Sequence, residues 1–152
     1  MTTQTLVYEN TLKIMQNALD ANLASQEDLQ WLKSKADPVY WLREYATVQL
    51  YLGRRAGHTT AALKISAEFE NPILITINSS IIDLNRVKEI NYSVSLFSSP
   101  VKLFSAHALS ALVDNPCDLL IVESNSISKK EVLDQIYAYA AKAKVRCVLL
   151  IG

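Results

Sequence analysis

The sequence has little glycine, proline or cysteine, no net charge and no long hydrophobic run. Its 152 residues include three glycines, four prolines and two cysteines, and its 15 basic side chains balance 15 acidic ones. Half of the residues are hydrophobic, which argues against disorder. The neutral charge argues against a protein built mainly to coat nucleic acid, because such domains are usually strongly basic. We therefore expect a folded chain with a sizeable core.

The absence of long apolar runs and of cysteine clusters limits where the protein works. No apolar run approaches the length of a membrane span, and residues 1–5 lack the features of a secretion signal. Cys117 and Cys147 each lie in or next to an apolar strand-like run, with no Cys or His at ligand spacing. We predict buried, reduced thiols in a cytoplasmic protein that makes no membrane contact.

Residues 1–45 are predicted to form a helical N-terminal extension. Ser25 is a plausible N-cap of a second helix, because acidic residues follow in its first turn. Pro38 is expected to open a third helix. Apolar residues of the first helix recur at helical spacing, at Leu12, Met15, Leu19 and Leu23.

Residues 46–152 are predicted to form an α/β domain, because apolar strand-like runs alternate with helical ones. This pattern is typical of a parallel sheet covered on both faces. Strands are expected at 46–52, 73–77, 92–97, 101–104, 118–122 and 145–151. Helices are expected at 59–70, 81–90, 106–113 and from 128 to about 144. Ser128 with Glu131 is a capping box for the last helix.

Two of the three glycines, Gly53 and Gly57, lie four residues apart between a predicted strand and a predicted helix. Glycine lets backbone N–H groups turn inward, and a helix N-terminus adds partial positive charge. The pattern predicts a phosphate-binding loop made of Gly53, Arg54, Arg55, Ala56, Gly57, His58, Thr59 and Thr60. A plain turn between strand and helix is the alternative.

The order of these segments resembles the first RecA-like half of superfamily 2 helicases, or the ATPase domain of phage large terminases. The loop at 53–60 is similar to the terminase pattern G-R-R-x-G-K-[ST]. Residues 118–124 occupy the place of the acidic strand that ends in Asp-Glu in those proteins. The resemblance implies a three-layer α/β/α fold with a mainly parallel RecA-like sheet. It also implies a viral origin and the host cytoplasm as the location.

The resemblance also implies roles for the loop and for the end of the acidic strand. The loop would cradle the phosphates of ATP, and His58 would face the β and γ phosphates where the family has lysine. Thr59 and Glu123 would hold Mg²⁺. Thr60 would replace Thr59 if the register differed by one residue. Arg54 and Arg55 could bind phosphate and offset the missing lysine, or be a solvated pair.

Ser124 stands where the family has its catalytic glutamate. A hydroxyl cannot take a proton from the attacking water, and loss of a general base costs about 10²–10⁴ in rate. Unless Glu123 takes over that function, hydrolysis is expected to be slow or absent.

Three functions follow as hypotheses. The preferred one is a protein that binds ATP with Mg²⁺, hydrolyses it weakly or not at all, and regulates a protein partner. The second is a small active ATPase that a neighbouring copy completes in a homo-oligomer, linked to DNA packaging or helicase action. The third is a nucleotide-free interaction or inhibitor protein that retains the fold. Nucleic-acid binding rests on analogy alone.

Overall fold

A computed structural model describes residues 2–52, 57–75, 95–97, 117–123 and 130–152. The segments predicted at 81–90, 101–104 and 106–113 lie outside the described residues. So do five predicted site residues, which are Gly53, Arg54, Arg55, Ala56 and Ser124.

The described residues form five helices and five strands. The helices are α1 (Thr3–Asp28), α2 (Gln30–Lys33), α3 (Pro38–Tyr45), α4 (His58–Ser66) and α5 (Lys130–Lys142). The strands are β1 (Thr47–Leu50), β2 (Ile73–Ile75), β3 (Ser95–Phe97), β4 (Leu119–Glu123) and β5 (Cys147–Ile151). Among these helices, none is both long and apolar enough to cross a bilayer.

The strands form one sheet in the order β1-β5-β4-β2-β3, and every neighbouring pair is parallel. Each strand overlaps a segment that the sequence predicts to be a strand. The α/β fold with a parallel sheet is therefore confirmed. Because β1 and β4 run in the same direction, Leu50 and Glu123 end their strands at the same end of the sheet, its carboxyl end.

Alternate side chains of the sheet enter two separate hydrophobic clusters. On one face, Leu120 and Val122 of β4 pack with residues of α3 and α5. On the other face, Leu119 and Ile121 pack with residues of α1 and α4. Both faces are buried, as a parallel sheet requires, and this explains the continuous apolar runs of β4 and β5.

Helix α1 is longer than predicted. Thr2 caps it, since its side chain accepts a hydrogen bond from the Thr5 N–H. The helix continues to Asp28, so the prediction that Ser25 caps a second helix is wrong. The reason is a tertiary contact: the side-chain amide of buried Gln26 donates to the carbonyl oxygen of Arg146 at 3.1 Å and holds the last turns of α1 on the sheet.

The inner face of α1 shares a core with the sheet. Met15 and Leu19 are fully buried in the same cluster as Leu119 and Ile121 of β4 and Leu149 of β5. The division of the chain into a helical extension and a separate domain at residue 45 stays a prediction.

Helix α3 begins as predicted at Pro38. The Asp37 carboxylate accepts hydrogen bonds from the N–H groups of Val39 and Tyr40, both at 3.1 Å. The helix leads through Ala46 directly into β1. This tight connection holds α3 on the face of the sheet that α5 also covers.

Candidate functional site

The carboxyl end of the sheet brings together the strand ends and the start of α4. Ligands of open parallel sheets bind at this end of the strands. Gly57 caps α4 with a φ of 76°, a left-handed conformation that favours glycine. The glycine at this position therefore serves the turn into the helix.

His58, the first residue of α4, faces the protein interior. Its side chain is only 9% exposed, and its Nε2 atom accepts a hydrogen bond from the Leu52 N–H at 2.9 Å. An accepting Nε2 carries a lone pair, which places the proton of the neutral ring on Nδ1. Burial also lowers the pKa of the imidazole below its usual 6.5. The side chain is a neutral structural group that ties α4 to the chain leaving β1.

His58 therefore does not fit the role of a cation that replaces lysine. Nε2 already accepts from the Leu52 N–H, and protonation of Nε2 would remove that acceptor. The side chain does not face solvent either, because it is buried.

Thr59 and Glu123 are in contact at the carboxyl end of the sheet, although 64 positions separate them in the sequence. The Thr59 hydroxyl donates to the Glu123 carboxylate at 2.7 Å, across the gap between α4 and the end of β4. Both residues are half-buried, as is Thr60 in the same turn. The Thr59 hydroxyl thus donates its proton to a partner within the protein.

ATP and Mg²⁺ are the ligands predicted for the carboxyl end of the sheet. In the parts of the chain that it covers, no group of three or more His, Cys, Asp or Glu side chains could hold a metal ion. Mg²⁺ can be held by one carboxylate together with substrate phosphates, so ATP, Mg²⁺ and the ligand roles of Thr59, Thr60 and Glu123 stay predictions.

A second candidate is given by two exposed aromatic side chains, one on α2 and the other on α3. Trp31 is 62% exposed and Tyr40 is 51% exposed. Neighbouring apolar residues of the same segment pack inward against the core; they are Leu29, Leu32, Ala36 and Val39. We call Trp31 and Tyr40 the aromatic surface.

The two aromatic residues near the start of α3 have different environments. Trp41 packs in the core and stacks on Tyr45 at 5.4 Å between ring centroids, whereas Tyr40 is exposed. Trp31 was missed, although Leu29 and Leu32, spaced i and i+3, both pack inward and leave Trp31 on the other side of this helical turn.

Both cysteines are buried and free, which confirms the prediction for them. Burial raises the pKa of the Cys117 thiol and that of the Cys147 thiol to about 12. Neither thiol has the lowered pKa of a reactive cysteine.

No protein-family model and no curated protein matches the sequence. Among solved structures, the chain is similar to the crystal structure of SulA from Pseudomonas aeruginosa. The TM-score is 0.48 and the sequence identity is 14%, over 70% of this chain and 98% of the SulA chain. A likeness of this degree carries no argument about what the present chain binds.

The comparison nevertheless overturns the predicted family, because it pairs the chain with SulA and not with a P-loop NTPase. The predicted membership among helicase-like or terminase-like ATPases is wrong. Two predicted functions fall with it, the ATP-binding regulator with slow hydrolysis and the small active ATPase. The viral origin and the host cytoplasm also lose their basis, because both were inferred from the predicted family. The inward-facing, neutral His58 agrees with this correction.

Proposed function

We propose that this chain is a non-catalytic interaction protein that binds a partner protein through the aromatic surface. The observation that carries the proposal is the exposure of Trp31 and Tyr40 in a segment whose other apolar residues pack inward. This is the third of the functions predicted from the sequence, the one that acts without a nucleotide.

Tryptophan and tyrosine dominate binding energy at protein interfaces. They supply a large apolar contact and a polar atom while losing little side-chain entropy. Covering about 150 Å² of an exposed tryptophan would gain about 4 kcal/mol before the costs of association. Exposed aromatic side chains of this size therefore favour a protein partner.

The hydrogen bonds at the carboxyl end of the sheet support the same function. The groups best placed to act there, His58 and Thr59, hydrogen-bond to Leu52 and Glu123 within the chain. The zero net charge favours a protein over a nucleic acid as partner.

For the architecture, we propose the full three-layer α/β/α arrangement. The described helices support it, because α1 and α4 cover one face of the sheet while α3 and α5 cover the other.

The test is capture of partners from cells of the source organism with tagged wild-type protein and three variants. Trp31→Ala and Tyr40→Ala remove the aromatic surface. Ile14→Ala is the matched control, since Ile14 is 44% exposed on α1. A protein retained by wild type and the control but lost from both aromatic variants supports the proposal, provided that the purified partner binds with the same pattern. Equal capture by all four proteins would refute it.

A parallel titration tests the corrected function. ATP with Mg²⁺, added to the wild-type chain in a calorimeter, should give no heat of binding. Saturable binding that Gly57→Val abolishes would contradict the proposal.

A further inference from the structure

Strand β1 is the last strand of the sheet on one side. Among the described residues, no strand pairs with the edge of β1 that faces away from β5. Gln49 is exposed in the middle of β1, and Tyr51, just past its end, is 70% exposed. Within the described part of the chain, this edge therefore has no strand partner.

The hydrogen bonds to β5 show which backbone groups point outward. The Val148 N–H donates to the carbonyl oxygen of Ala46 at 2.8 Å. In a parallel ladder, the residues that bond one neighbour alternate along the strand, so Val48 and Leu50 direct their backbone groups toward β5. Thr47 and Gln49 direct theirs away from the sheet, and continuation of the strand adds Tyr51.

This edge lacks the features with which proteins usually block such pairing. Residues 46–52 contain no charged residue, no proline and no glycine. Natural edge strands are commonly protected by lysine, proline, a bulge or a covering element. An extended backbone is what supplies alternating donors and acceptors at the matching spacing, so the occupant of this edge is another strand.

We propose that the occupant is β1 of a second copy of this chain, paired antiparallel about a two-fold axis at Gln49. In this pairing Gln49 exchanges both backbone hydrogen bonds with Gln49 of the other copy, and Thr47 does the same with Tyr51. The outward groups are symmetric about Gln49, as a two-fold contact requires. Residues 46–52 carry no charge, so no like charges lie opposite each other within this strand pair.

A two-fold contact closes after two copies and joins their sheets into one. The dimer uses one edge of each sheet, so growth of a filament through this contact is excluded. The proposal is independent of the partner proposed above, because Trp31 and Tyr40 lie outside β1.

The test uses charge reversal at the two-fold axis. Directly opposite residues of such a pair have Cα atoms about 5.5 Å apart, so identical charges at position 49 repel each other and opposite charges attract. Gln49→Lys and Gln49→Glu should each raise the dimer dissociation constant about fivefold or more. A mixture of the two variants should recover mixed dimers. Ile14→Lys adds the same charge away from the edge and should leave dimerisation unchanged.

Sedimentation velocity over a concentration series measures the monomer of 17.0 kDa and a species of twice that mass. Native mass spectrometry detects the mixed dimer. Gln49→Pro removes the central outward N–H and should also weaken the dimer, with its fold checked by circular dichroism. A wild-type chain that stays monomeric overturns the proposal, and so does a dimer that the charge variants do not weaken. Variants that weaken the dimer but give no mixed dimer also overturn it.

Discussion

The hydrogen bond between Leu52 and His58 should make the stability of the protein depend on pH near neutrality. The buried imidazole accepts from the Leu52 N–H through Nε2. A proton on Nε2 removes that acceptor and places a charge in a buried position. The folded state therefore resists protonation of His58, and its pKa lies below the usual 6.5.

The sign of the effect follows from this lowered pKa. As pH falls through 6.5, the unfolded imidazole binds a proton before the folded one does, so the free energy of unfolding decreases. The stabilisation is fully present above pH 6.5 and is lost as pH falls through the pKa of the folded state. At pH 7.5, His58→Phe should lower the free energy of unfolding by about 1 kcal/mol, the net value of one hydrogen bond. For a chain of this size the melting temperature should fall by about 2–4 °C.

Chemical denaturation of three proteins between pH 7.5 and pH 5 measures the effect. His58→Gln keeps an acceptor oxygen but cannot titrate, so its stability should change less with pH than that of the wild type. His107→Gln controls for the other of the two histidines in the sequence. If the wild type and His58→Gln lost stability in parallel over this range, the reasoning about His58 would be refuted.

Three further predictions follow from the packing and the hydrogen bonds. Leu19→Ala should lower the free energy of unfolding by about 2–5 kcal/mol, and Ile14→Ala at an exposed position by less than about 0.5 kcal/mol. Similar values for the two variants in urea unfolding would show that α1 does not pack in the core. A double-mutant cycle of Thr59→Val and Glu123→Ala should give a coupling energy of about 1–2 kcal/mol, and additive effects would show that their hydrogen bond does not form in solution. Both cysteines should resist Ellman's reagent at pH 8 until urea is added, whereas rapid labelling of the folded chain would contradict their burial.

Much of the sheet could be predicted from local sequence. The buried strands β4 and β5 are continuous apolar runs, and the helices between strands imply parallel pairing. Pro38 predicted the start of α3, because the preference of proline for the first turn of a helix is local, and the structure adds Asp37 as the N-cap. The end of α1 could not be predicted in this way. Its last turns depend on a hydrogen bond from Gln26 to Arg146, which are 120 positions apart.

The candidate site was only partly predictable, for the same reason. The positions of Gly57 and Thr59 follow from a strand, a turn and a helix in sequence, and Glu123 follows from the end of a parallel strand. The direction of the His58 side chain depends on how deeply α4 packs, which no local pattern records. The motif predicted that this histidine contacts phosphate, whereas in the fold it accepts a hydrogen bond from the backbone N–H of Leu52.

The most direct test of the proposed function is the affinity of the captured partner for purified wild-type and Trp31→Ala proteins, measured by calorimetry. A central aromatic residue contributes about 2 kcal/mol or more, so Trp31→Ala should weaken binding roughly 30-fold or more, while Ile14→Ala leaves it unchanged. Equal affinities for all three proteins would contradict the assignment of the aromatic surface as the binding site.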